Sequence, residues 1–122
     1  MSIIKISVIT ITYNAENVIM RTLDSVLKQT FSNIEHIIID GASKDSTLLA
    51  EREYESRSCS TNNGHEIKII SEPDKGLYDA MNKGIGKATG NYLVFLNAGD
   101  VFPSSSTLET VADMIGDGEE LP

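Results

Sequence analysis

Apolar positions along the chain follow two patterns that take turns. Lys5–Thr12, Ile34–Ile39, Ile67–Ser71 and Tyr92–Asn97 are short, nearly continuous apolar runs, rich in Ile and Val. Their length and β-branched content predict strands, and continuity in place of strict alternation predicts strands covered on both faces. Between them the apolar positions take helical spacing. Val18, Ile19, Leu23, Val26 and Leu27 form one stripe, in a helix that opens at Asn14 or Glu16 and ends at Lys28, a cation suited to a last turn. A second helix is expected from Asp45 or Ser46, either of which can cap it, to about Arg57. A third spans Leu77–Ala88, with Tyr78, Met81 and Ile85 near one face, and a fourth about Ser105–Ile115. Strand then helix, four times over, predicts an α/β fold of three α/β/α layers around a mainly parallel sheet.

Turn residues refine this outline. Gly41 allows a tight turn after the second strand, and Ser58–Glu66 is polar enough for a surface loop. Gly84 and Gly86 sit inside the third helix, where each costs about 1 kcal/mol relative to alanine, so close packing or a ligand is expected there. Residues 1–115 read as one domain, and 116–122 as a frayed acidic tail.

Composition narrows the function. The 122 residues carry a net charge of -8, which argues against a broad nucleic-acid surface but not against a nucleotide held by a cation and backbone N–H groups. The lone cysteine, Cys59, permits no internal disulfide, and no signal peptide or membrane-spanning run is evident, so a cytoplasmic location is expected.

A parallel sheet brings four loops to one edge: Tyr13–Asn14, Asp40–Asp45, Glu72–Gly76 and Asn97–Asp100. Ligands of open α/β sheets bind at that edge. Asp40 is placed to accept hydrogen bonds from a base or ribose, Asp100 to hold Mg²⁺ or Mn²⁺, and Asn97 to add an amide oxygen. His36, within a strand, reads as structural, and His65 as solvated. Asp79 and Lys83 read as a surface ion pair. The glycine fingerprint of dinucleotide folds and the phosphate loop of ATPases are both missing, which weakens an oxidoreductase reading.

The stretches Val-Ile-Thr-Ile-Thr-Tyr-Asn at 8–14, Asp-Gly-Ala-Ser-Lys-Asp-Ser-Thr at 40–47, Ala-Met-Asn-Lys-Gly at 80–84 and Phe-Leu-Asn-Ala-Gly-Asp at 95–100 together resemble the amino-terminal half of a family 2 glycosyltransferase of the GT-A fold, in particular bacterial members that build surface polysaccharides. The resemblance implies that Thr12 and Tyr13 line a nucleotide pocket and that Asp40 contacts the base, usually uracil. Gly41 and Ser43 would support it, and Asn82 would lie near the sugar nucleotide. It also implies a divalent cation (Mn²⁺ or Mg²⁺) at Asn97 and Asp100, a nucleoside diphosphate sugar as donor, and a saccharide or lipid-linked acceptor, with inversion at the transferred carbon. The sequence departs from the family at two points: glycine (Gly99) replaces the third residue of the usual Asp-x-Asp, and Met81 stands where arginine is common. No residue suits the acceptor-deprotonating base. The chain is therefore expected to be the donor-binding part of a longer enzyme, inactive alone. The alternative is an inactive module that binds nucleotide or self-associates as a homodimer through exposed apolar surface.

Overall fold

The computed structural model describes residues 4–119. Strands β1 (Ile6–Thr12), β2 (Ile34–Asp40), β3 (Glu66–Ser71) and β4 (Tyr92–Phe95) alternate with helices α1 (Ile19–Leu27), α2 (Thr47–Thr61), α3 (Leu77–Lys87) and α4 (Thr107–Glu119). The sheet order is β3-β2-β1-β4, and every pairing is parallel. Period-2 alternation sends Ile6, Val8, Ile34 and Ile38 toward α1, α2 and α4, where Val26, Leu23, Tyr54 and Leu108 meet them. Ile9, Ile37 and Ile39 point the other way, onto Ala80 of α3. This is the three-layer architecture the sequence predicts.

Gly84 explains why α3 lies so close to the sheet. A Cβ there would stand 2.6 Å from Cγ2 of Ile9, so the glycine serves packing, whereas Gly86 has open space around it. At the amino-terminal end of the sheet the fully buried Glu35 accepts hydrogen bonds from Ser7 Oγ (2.6 Å), Lys68 Nζ (2.8 Å) and Thr89 N (2.6 Å). Burial alone would raise its pKa, but these donors together outweigh it and hold the carboxyl well below the usual range. The knot ties the α3–β4 connection to three strands.

Several boundaries differ from the sequence expectation, each for a local reason. The first helix begins at Ile19, because Asn14 adopts a left-handed φ of 47° and a turn closed on the Ala15 carbonyl precedes it. The second runs past Arg57 to Thr61, where Asn62, with a left-handed φ of 53°, ends it. The fourth continues beyond Ile115 to Glu119, so part of the expected tail is helical; residues 120–122 lie outside the described residues. β4 was expected to be covered on both faces. It lies instead at the sheet edge, with Leu93 40% and Phe95 39% exposed on the α3 side.

The histidines also divide. His36 is buried between the Thr10 hydroxyl (2.8 Å) and the Tyr54 hydroxyl (2.6 Å), a structural position as expected. Burial, with a smaller push from His65, lowers its pKa to about 3, so the ring is neutral. His65 is not the solvated side chain anticipated. Its Nε2 meets the Phe31 carbonyl at 3.0 Å, and burial lowers its pKa.

Candidate functional site

The four loops meet at the carboxyl edge of the sheet, and the first two are stitched together. The Asn14 backbone N–H donates to Ser43 Oγ (2.9 Å), and the Lys44 N–H to Asn14 Oδ1 (2.8 Å). The Ala15 N–H donates to Thr47 Oγ1 (2.8 Å). Asp45 accepts from the Thr47 N–H (2.9 Å) and hydroxyl, and that hydroxyl bond leads the causes that lower its pKa. Asp45, not Ser46, thus satisfies the start of α2.

Asp40 closes the floor of this assembly. It is fully buried, and its carboxylate accepts from the Ser43 N–H (2.8 Å), Ser43 Oγ (2.7 Å) and Ser71 Oγ (3.0 Å). The sequence reading aims this carboxylate at a base; in the structure it turns inward and holds the loops after β2 and β3. Ser43 is tied into the same network. Thr12, the register partner of Asp40, is 3% exposed, and its hydroxyl has no hydrogen-bond partner.

A cleft of about 310 Å³ opens between Ile11–Tyr13 at the end of β1 and Gly76, Leu77 and Ala80 at the start of α3, with Asp74 on its wall. Tyr13 is 56% exposed, its ring free to face an incoming planar group. Asp74 accepts from the Gly76 N–H (3.1 Å), and its Oδ2 would stand 2.9 Å from a Cβ at residue 41. Gly41 has an ordinary φ; the left-handed residue of that turn is Ala42, at 62°. Glycine is needed at 41 to let Asp74 come near, not to make the turn. The sequence reading assigned no role to Asp74. Its only signal was a Pro-Asp-Lys-Gly turn at a strand end. Asp79 and Lys83 do more than pair at the surface: Asp79 accepts from the Lys75 N–H (2.8 Å), and Lys83 Nζ donates to the Pro73 carbonyl (2.9 Å). Both anchor the Asp74 loop to α3.

The fourth loop is clamped by α1. Arg21 donates to the Gly99 carbonyl (2.9 Å), and Thr22 Oγ1 accepts the Gly99 N–H (2.8 Å). Gly99 has φ 99°, which a glycine adopts at no steric cost, and the Asp100 N–H closes the turn on the Asn97 carbonyl (2.9 Å). Asn97 and Asp100 are both exposed. Among the described residues no three His, Cys, Asp or Glu side chains cluster to cage a metal. One carboxylate and one amide do fit a hard cation that arrives with phosphate oxygens and water, as Mg²⁺ and Mn²⁺ commonly do. Asn82 stays apart. It is exposed, two residues from the buried Ala80 on α3, and is not among the residues lining the cleft. A larger hollow, about 420 Å³, lies between α1 and residues 101–105, just past the Asn97–Asp100 turn.

Known proteins resemble this chain in sequence and fold. Over 113 residues the chain is 38% identical to a PGL/p-HBAD biosynthesis glycosyltransferase of Mycobacterium bovis, covering 93% of this chain and 42% of that protein. It thus spans less than half the length of that relative. Among solved structures, TarS 1–349 of S. aureus in complex with UDP-GlcNAc superposes with a TM-score of 0.78 at 27% identity, over 94% of this chain and 32% of the other. The mannosyltransferase PcManGT of Pyrobaculum calidifontis, in complex with GDP-Man and Mn²⁺, gives 0.79 at 27% identity, over 93% and 33%. The family pattern "Glycosyl transferase family 2" matches residues 7–121, nearly the whole chain and all four loops of the candidate site, and the chain belongs to that family.

Proposed function

We propose that this domain binds the nucleoside diphosphate part of a sugar donor, with UDP the preferred nucleotide, for an inverting glycosyl transfer to a saccharide or lipid-linked acceptor. The observation that carries the reading is the cleft between β1 and α3, where the Tyr13 ring, the Asp74 carboxylate and the amino end of α3 converge beside the Asn97–Asp100 turn. Tyr13 stacks on the base. Asp74 accepts hydrogen bonds from the base or ribose, the role the sequence reading gives to Asp40. Asp40, Ser43, Gly41 and Thr12 support that geometry from below, and Asn82 sits on the outer side of α3, toward the sugar or acceptor.

Asp100, with Asn97, would hold a divalent cation. Bound there, the cation supplies positive charge against the diphosphate as it departs. The clamp from Arg21 and Thr22 keeps the turn in place for it. In the transfer the acceptor oxygen bonds to the anomeric carbon, the bond from that carbon to the diphosphate oxygen breaks, and the acceptor proton passes to a base. We place that base in the part of the enzyme that the relatives have beyond the matched region. A bacterial, cytoplasmic enzyme of surface-polysaccharide assembly fits the reading, and the 122-residue chain alone is expected to bind donor and turn over little.

Calorimetric titration with UDP, with and without Mn²⁺, tests this. Expected are binding strengthened by Mn²⁺ and loss of that gain in Asp100→Ala. Binding equal with and without metal would remove the cation role, and no binding of any nucleoside diphosphate by the folded chain would overturn the reading. Leu93 and Phe95 favour one further reading, pairing of two copies through the uncovered face of β4.

A further inference from the structure

Beneath the cleft lies a carboxyl group that the donor site does not use. Glu51, on α2, is fully buried, and no donor reaches either of its oxygens. A buried carboxylate in that state is costly, whereas a carboxylic acid brings its own donor and asks only for an acceptor. The acceptor at hand is Asp40. Alternation along β2 turns it toward α2 together with His36, which meets Tyr54, and Glu51 lies one turn before Tyr54 on the buried flank of that helix. The charge of Asp40 acts on Glu51 there. Asp40 Oδ1 receives one donor, Ser43 Oγ, and Oδ2 receives two, so Oδ1 retains capacity for another. We infer that Glu51 is a positioning residue that keeps its proton at neutral pH and presents it to Asp40 from the buried side, holding the carboxylate that binds Ser43 and Ser71 and so fixing the floor of the cleft.

The charges around Glu51 agree. From β2 it faces Asp40, an anion, and His36 nearby on the same strand is neutral. The β2–α2 loop contributes Asp45, a second anion. On its own helix Arg52 opposes these only weakly, being 55% exposed and paired with Glu55 at 3.6 Å. Lys68 of β3 is engaged by Glu35, and on α1 Asp24 is engaged by Arg57. Burial first, then Asp40, raises the Glu51 pKa to about 8. Above that, two adjacent buried anions would face each other, and the Asp40–Ser43–Ser71 network would open.

The test is a carboxyl ¹³C titration of the 122-residue chain. Expected is one glutamate Cδ signal with a midpoint near the value above, absent in Glu51→Gln, and an aspartate Cγ signal that moves with the same midpoint. All glutamates titrating in the ordinary range would overturn the assignment, and so would a high midpoint with no coupled aspartate. The effect on ligand rests on the proposed donor site. UDP affinity should fall by up to about tenfold per pH unit above the midpoint and become flat over that range in Glu51→Gln, which keeps a donor but cannot ionise. Good UDP binding with the same pH profile in both proteins would overturn the link to the cleft. Absence of UDP binding at every pH, with the coupled titration present, would count against the donor site and support the Glu51–Asp40 pair.

Discussion

Asp74 lies over Gly41, so close that a β-carbon on the glycine would come within 2.9 Å of the carboxylate oxygen. The two residues belong to loops after different strands, and their contact sets one wall of the cleft. Gly41→Ala meets no backbone penalty, since φ there is ordinary, and it pushes only the end of a side chain. Stability should change by less than about 1 kcal/mol. UDP affinity should drop about tenfold, as expected for losing one hydrogen bond to a charged group. Asp74→Ala should lose as much, and the double variant no more than Asp74→Ala alone, because the first substitution acts through the second residue. Additive losses by calorimetry would show that Gly41 meets the ligand by another route.

The two helical glycines of α3 should behave oppositely. Gly84→Ala drives a methyl into Ile9 and should destabilise the fold by about 1–3 kcal/mol, more than the helix propensity it gains. Gly86→Ala meets nothing and should stabilise it by about 1 kcal/mol. Urea unfolding of both variants checks this; stabilisation by Gly84→Ala would mean that α3 can ride away from the sheet.

The layers were legible in the sequence because burial repeats with a period, and the β-branched run Ile37-Ile38-Ile39 reads as a strand covered on both sides, as it is. Helix ends were less legible. Ser58–Thr61 is polar and looks like loop, yet one flank of α2 faces solvent along its whole length, so polarity does not end it; Asn62 does. Within the site, the sequence could list the four loops but not which way each side chain turns. Asp40 and Asp74 are both carboxylates at strand ends. Only the donors from Ser43 and Ser71 draw the first inward, and only the missing Cβ of Gly41 lets the second approach. Glu51 gives no sequence signal, since a glutamate in a polar helix is expected on the surface.

His36 and Glu51 bend the stability–pH curve in opposite directions. His36 has a folded pKa lowered from 6.5 to about 3, so the unfolded chain binds the extra proton between them and stability falls as pH drops through that window. Glu51, raised from 4.5 to about 8, binds its proton in the folded state, so its stability contribution is lost as pH rises over that interval. Each slope is about 1.4 kcal/mol per pH unit. The two cancel between 4.5 and 6.5, and His65, lowered in the same direction as His36, leaves the plateau only a gentle rise with pH. Above it Glu51 acts alone and stability declines; below it His36 and the acid-range titration of Glu35 both lower it. Urea midpoints measured across this range should show the plateau on the acid side of neutrality. A stability that climbs steadily through pH 8 would contradict a neutral Glu51.

The uncovered side of β4 leads to a prediction about association. Leu93 and Phe95 point to the α3 side of the sheet, and Ile85 on that helix is 47% exposed. Burying such side chains against a second copy is favourable by about 25 cal/mol per Å² of apolar surface. The net charge of -8 opposes it, and that repulsion is screened by salt while apolar burial is not. Light scattering should therefore find a concentration-dependent dimer that strengthens as salt is raised, and Leu93→Ser combined with Phe95→Ser should weaken it by more than about tenfold. A dimer that weakened with salt would point to ion pairs instead, and a monodisperse monomer at every salt concentration would show that this face does not join two copies.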